Sequence, residues 1–171
     1  SRLGVVINDK IFQAEIYNKN SELDLAILEA SSSLTKSHIK FAPEVKTGQS
    51  VTALGYPLAF DLGTDIKVTT GIISSLDGYQ GDNSSFQFTA SIQPGNSGGP
   101  LVDQYNRLVG ITTAALVGEE FQNVNFAVKA TNLQRFLGAN GIDFEISNSV
   151  TQIDIPTIVE KSRDYVRLVL C

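Results

Sequence analysis

The chain has 171 residues, 42% of them apolar, a formal net charge of −5 and a mean hydropathy of +0.03. That is enough for one good core and part of a second. Thirteen Lys and Arg against eighteen Asp and Glu form no basic stripe, which argues against nucleic acid or an anionic membrane surface as partner. No apolar run approaches the roughly 18 residues of a membrane span, and no secretory leader pattern opens the chain.

Beta signals dominate as far as residue 128. Val5 to Ile7 and Ile11 to Tyr17 read as strands joined by an Asn8-Asp9 turn. Leu23 to Leu28 reads as a strand buried on both faces. Residues 31–49, rich in Ser, Lys and Thr with Pro43 and Gly48, form a connector. Six further strands follow at short spacing: Val51 to Gly55, Ile66 to Ser74, Phe86 to Ala90, Pro100 to Asp103, Arg107 to Ala114 and Asn123 to Val128. Such spacing favours an antiparallel barrel or sandwich over a βαβ sheet. A helix then starts with Thr131 as N-cap, places Leu133, Phe136 and Leu137 on one face, and ends at Gly138 as C′ residue. In the tail, Asp154 and Pro156 open a short helix that ends near Ser162, and Tyr165 to Leu170 has strand composition.

The most informative segment is Pro94-Gly95-Asn96-Ser97-Gly98-Gly99-Pro100. A serine between glycines suits a tight turn that exposes one hydroxyl, and the amides of Gly95 and Ser97 can point at one spot, as an oxyanion hole requires. The α/β-hydrolase pattern G-x-S-x-G is also satisfied, but hairpin grammar follows the serine and no histidine occurs after it. Subtilisin order is formally met by Asp24, His38 and Ser97. His38, however, lies in a Lys- and Ser-rich connector and reads as a solvated residue. One histidine and scattered carboxylates give no metal-ligand spacing, and no cofactor is expected.

The loop resembles the nucleophile loop of trypsin-like serine proteases in the Asn-containing form of the HtrA/Deg branch. Leu23-Asp24-Leu25-Ala26-Ile27-Leu28 resembles the stretch that carries that family's triad aspartate. An acid inside an apolar strand is costly unless its charge is used, which agrees with Asp24 as the residue orienting a histidine. The resemblance covers about residues 3 to 138 and implies an all-β, trypsin-like double barrel with a C-terminal helix and short tail. Its N-terminal barrel is incomplete. Residues 1–40 are expected to be the remnant of that barrel, 41–141 the C-terminal barrel plus helix, and 142–171 the tail. Ser1 enters directly into an apolar run and no methionine occurs, which looks like a cut inside a larger protein.

By the resemblance, Ser97 and Asp24 are catalytic, Gly95 and Ser97 form the oxyanion hole, and Ser91 lies at the base of the primary specificity pocket. Thr113, Ala114 and Ala115 form that pocket's wall. An uncharged Ser91 and small walls imply an aliphatic side chain at the cleaved position. The family's histidine would precede Ser1, so Ser97 lacks a base here and the chain alone should be inactive. The alternative is a degenerate protease domain that binds peptides. Asn96 stands where zymogen-activated relatives carry an aspartate, which argues against activation by an N-terminal ion pair; the loop from Tyr56 to Asp65 is a candidate for rearrangement, with an ordinary surface crossover as the alternative. Partners implied are protein or peptide substrates, with association through open barrel edges unless the tail covers them. The family suggests a periplasmic or secreted setting. Cys171, the single cysteine, precludes an internal disulfide and could bond a cysteine preceding Ser1.

Overall fold

The structure, a computed structural model, describes residues 3–30, 37–57, 63, 65–115 and 124–170. Strands β1 (Leu3–Ile7) and β2 (Lys10–Asn20) pair across Asn8 and Asp9, which take left-handed φ values of 48° and 61° as a two-residue hairpin turn requires. β2 continues to β3 (Leu25–Ala30), with Tyr17 as the extra residue of a bulge. Asn20 closes this second hairpin: its side-chain oxygen accepts from the amides of Glu22 at 3.1 Å and Leu23 at 3.0 Å.

That capture corrects the reading of Leu23 to Leu28 as a strand buried on both faces. The turn extends through residue 24, the strand begins at Leu25, and only Leu25 within β3 is buried. Asp24 is exposed at φ 53°. Its charge is therefore solvated and carries no desolvation cost that a histidine would have to offset.

The next six strands are β4 (Ser50–Gly55), β5 (Lys67–Ser75), β6 (Ser85–Phe88), β7 (Pro100–Asp103), β8 (Leu108–Ala115) and β9 (Asn125–Lys129). They close into an antiparallel barrel in the order β4-β5-β6-β9-β8-β7. Its interior is filled by apolar residues that include Val51, Ile73, Phe86, Phe88, Leu101 and Val109. Leu101 points in and Val102 points out, yet both are fully buried, because the tail covers the outside of β7.

Helix α1 (Ala130–Ala139) follows β9 without a break. The expected caps are corrected. Lys129, not Thr131, is the N-cap residue and makes no side-chain cap; the first turn is pinned instead by Asn132 Nδ2 donating to the Ser84 carbonyl at 2.8 Å. Gly138 is inside the helix. Gly141, at φ 69°, is the C′ residue of a Schellman motif in which Ile142 N–H donates to Leu137 O at 3.0 Å and Gly141 N–H to Gly138 O at 3.1 Å.

The tail binds both halves of the molecule. Ser147 N–H and Phe41 O pair at 2.9 Å, Ile153 N–H donates to Gln104 O at 2.9 Å, and helix α2 (Ile155–Ser162) buries Ile158 against Leu54 and Val102. As expected, Asp154 caps α2, accepting from Thr157 N–H at 2.9 Å, with Pro156 in the first turn. Strand β10 (Leu168–Leu170) then pairs antiparallel with β1, giving an open four-stranded sheet of order β10-β1-β2-β3. The tail thus covers the edge of β1. Cys171 lies outside the described residues, as do parts of the 31–49 connector and of the loop from Tyr56 to Asp65.

Candidate active site

The loop 94–99 is fastened at the amides of residues 96, 98 and 99 and at the carbonyls of residues 96 and 99. Asn96 N–H donates to Gln93 O at 2.9 Å, Gly98 N–H to Thr112 O at 2.7 Å and Gly99 N–H to Asn96 O at 2.9 Å; Thr112 N–H donates back to Gly99 O at 2.9 Å. The Thr112 hydroxyl, fully buried, donates to Asn96 O and to Gly99 O, the latter at 3.1 Å. Gly95 takes φ 97°, a region closed to most side chains. After this accounting, the amides of Gly95 and Ser97 have no acceptor among the described residues. An exposed serine beside two uncommitted amides is an arrangement able to hold a tetrahedral oxyanion.

Ser97 Oγ donates to the Thr113 carbonyl at 2.6 Å. Asn96 is buried, and its Oδ1 has no donor among the described residues. Upstream, Asn125 Nδ2 donates to Ala90 O at 2.9 Å and Thr69 Oγ1 to Ser91 O at 2.6 Å, which fixes the segment leading into the loop. Ser91 is exposed. Thr113 is half-buried with its hydroxyl donating to Phe126 O at 3.3 Å, and Ala114 and Ala115 end β8 with side chains outside those described.

Ser97 and Gly95 line a cavity of about 600 Å³ whose other walls include His38, Phe144, Tyr165 and Leu168. The serine loop, the segment from residue 37, the end of β4, β8, α1 and the tail therefore meet there. Sequence reasoning missed the tail's share, because no local pattern announces which loop a distant tyrosine will face. Tyr165 donates to Asn106 Oδ1 at 2.6 Å, and burial pushes its hydroxyl up to about 12. His38 is exposed, as its polar surroundings suggested, with Nε2 2.9 Å from Glu145 Oε1. Lys40 Nζ lies 2.6 Å from Glu145 Oε2; its hydrogen bond, and then that of His38, hold the Glu145 carboxyl below its usual range. Asp24 is not among the residues lining this cavity. It stands between Leu23 and Leu25, both of which pack in a cluster with Val128 and Phe136 of the barrel side. Among the described residues no group of His, Cys, Asp and Glu could hold a metal ion.

Residues 3–111 match the family model of the trypsin-like peptidase domain. An uncharacterized protein of Sinorhizobium fredii (y4bJ) is 34% identical over 156 residues, covering 86% of this chain and 25% of that protein. A serine protease HtrA-like protein of Staphylococcus aureus is 30% identical over 176 aligned residues, covering 94% of this chain and 22% of its own length. Among solved structures, the HtrA-type protease AlgW with decapeptide superposes with a TM-score of 0.69 at 27% identity, over 81% of this chain and 43% of that one. The serine endoprotease from Yersinia pestis does so with a TM-score of 0.66 at 29% identity, over 82% and 50%. The chain spans about a quarter of the length of these curated relatives and about half of the solved ones. With the serine loop, the closed barrel and these likenesses together, the chain belongs to the trypsin-like peptidase family, in its HtrA-like branch.

Proposed function

We propose that this chain is the nucleophile-bearing part of a serine endopeptidase. The observation that carries the reading is the exposed Ser97 hydroxyl on a rigidly fastened loop with the Gly95 and Ser97 amides uncommitted. In the reaction a base takes the Ser97 proton, Oγ bonds to the scissile carbonyl carbon, and the oxyanion is held by the two amides. The base then returns the proton to the leaving amine, and water repeats the sequence on the acyl-enzyme. Asp24 serves as the acid that orients the base. The substrate is a peptide, read along β8, with an uncharged aliphatic side chain facing Ser91 and Thr113. A peptide library cleaved after Arg or Lys would overturn that preference.

The base comes from outside these 171 residues. The single histidine, His38, is engaged with Glu145, and the Ser97 hydroxyl donates to the Thr113 backbone carbonyl, which is not a base at neutral pH. The chain alone is therefore essentially inactive. The test is the rate of fluorophosphonate labelling of the chain and of the protein in the length its organism makes, each with Ser97→Ala as control. Labelling is expected in the natural-length protein and about a millionfold slower, in effect absent, in the chain, the order of loss when a triad histidine is removed. Equal rates would assign the base to these residues, and His38→Ala would identify it. The parked Ser97 proton also favours a second reading, a peptide-binding module without turnover. Absence of labelling in the natural-length protein would select it.

A further inference from the structure

We infer that Thr112 is a positioning residue of the reaction: its buried hydroxyl aims the Ser97 amide into the oxyanion hole. The inference rests on the proposed role of Ser97. Thr112 is 1% exposed in β8, so its single O–H proton is turned away from solvent. That proton is given to the Asn96 carbonyl, with the Gly99 carbonyl as second acceptor at 3.1 Å.

The Asn96 carbonyl and the Ser97 amide belong to one peptide unit. The unit is planar and trans, so C=O and N–H point in opposite directions and rotate together. Holding the Asn96 oxygen toward β8 therefore holds the Ser97 N–H on the other side. Backbone bonds from residues 98, 99 and 112 brace the loop, and the Thr112 hydroxyl adds a side-chain donor to the Asn96 carbonyl, its shorter contact, and to the Gly99 carbonyl. The flanking glycines, at positive φ in Gly95 and Gly98, leave the loop backbone freer to rotate than ordinary residues would. A lock on that one peptide therefore has mechanical value.

The arrangement also separates positioning from folding. When the hydroxyl is removed, Gly99 O still accepts from Thr112 N–H at 2.9 Å and Asn96 O still accepts from Gly99 N–H at 2.9 Å. Neither buried carbonyl is left bare. Valine has nearly the shape of threonine, so the loss falls on orientation and not on burial.

The experiment uses Thr112→Val and Thr112→Ser in the protein at its natural length. Complete loss of an oxyanion donor lowers kcat by about 100–1,000-fold, so a misaimed donor is expected to lower it by about 10–100-fold. T112V should show that loss with KM within about twofold, and T112S should restore at least half of kcat. A peptide aldehyde, which adds to Ser97 Oγ as a tetrahedral hemiacetal, should bind T112V more weakly by the same factor as kcat falls. The matching peptide alcohol, which forms no adduct, should bind unchanged. Unchanged kcat in T112V overturns the inference. So does equal weakening of aldehyde and alcohol, or a T112S variant as impaired as T112V. If T112V melts below the assay temperature, Thr112→Ala is read against the same outcomes, with T112S still required to rescue. Ser97→Ala separates the two levels: cleavage that survives S97A removes the role of Ser97 itself, whereas a dead S97A beside a normal T112V removes only the role of Thr112.

Discussion

Removal of the Arg107 guanidinium should be among the most damaging single changes outside the serine loop. Asp103, with no exposed surface, ends β7, and Arg107 is 8% exposed four residues on. Arg107 donates from Nε and Nη2 to Asp103 Oδ2 at 2.8 and 2.7 Å, and from Nη1 to the carbonyls of Ser147 and Ser149 at 3.3 and 3.1 Å. Asp103 Oδ1 is separately satisfied by the amides of Tyr105 and Arg107 at 2.9 and 3.0 Å. Arg107→Met keeps the apolar stem but leaves Oδ2 with only Gln49 Nε2 at 3.3 Å and frees the tail at two carbonyls. Breaking a buried pair from one side costs about 3–5 kcal/mol, a large fraction of a total near 5–15 kcal/mol. For a chain of this size that is a fall in Tm of about 10 °C. Adding Asp103→Asn, which retains Oδ1 as an acceptor but removes the stranded charge, should recover part of the loss. Thermal melts by circular dichroism measure both, and limited proteolysis near residues 147–149 reports release of the tail. A melt of R107M within about 2 °C of wild type would refute the reasoning, as would a double variant that loses the full sum of its two single changes.

Tyr165 predicts a loss of stability at alkaline pH. Its hydroxyl is pushed up to about 12 by burial, the Asn106 hydrogen bond opposing, while an unfolded tyrosine ionises near 10. As pH rises between these values the unfolded chain sheds a proton that the folded one keeps, so stability falls by up to about 1.4 kcal/mol per unit. Melts from about pH 9 to 11.5 should show a shallower decline in Tyr165→Phe, with a residual slope from Tyr56, also raised by burial; parallel curves would contradict the assignment. Gly55→Ala should slow Ser97 labelling in the natural-length protein by about 10–100-fold, because a Cβ there would lie 2.6 Å from Asn96 Oδ1 and 3.2 Å from Asn96 Cα and must push the loop. A labelling rate within twofold of wild type would show that the loop tolerates the displacement.

Local chemistry decided which elements were legible in the sequence. β7 was readable to the residue because Pro100 starts it and the Asp103 turn ends it, and α2 because Asp154 and Pro156 mark its first turn. The serine loop was readable for the same reason. Asp24 was misplaced because the deciding group, the Asn20 side chain, acts through two amides, and an apolar pattern does not register this. Thr131 and Gly138 have cap composition, yet β9 runs directly into α1 and its end is set by Gly141. Pairing of β10 with β1 joins opposite ends of the chain, and nothing near either strand encodes it. Thr112 left only a faint signal, one of two adjacent hydroxyl residues in the run from Leu108 to Ala115.

Strand β8 explains how an acid-bearing turn and a serine loop from different sheets are kept in fixed relation. Side chains alternate between the faces of a strand. Ile111 packs with Leu23, Leu25, Val128 and Phe136, the cluster that seats the hairpin carrying Asp24. Its neighbour Thr112 turns the other way and grips Asn96 and Gly99. Two successive residues of one ladder-bonded strand thus register both groups, with Ile111 itself paired to Val128 and Thr112 to Ala127. Strand backbone is among the stiffest elements a small protein has. Asn18 Nδ2 donating to Asn140 Oδ1 at 2.5 Å, beyond the end of α1, adds a second polar tie in the same direction. The separation of Asp24 from Ser97 is therefore a property of barrel packing, and changes at Leu25 or Phe136 act on it through Ile111.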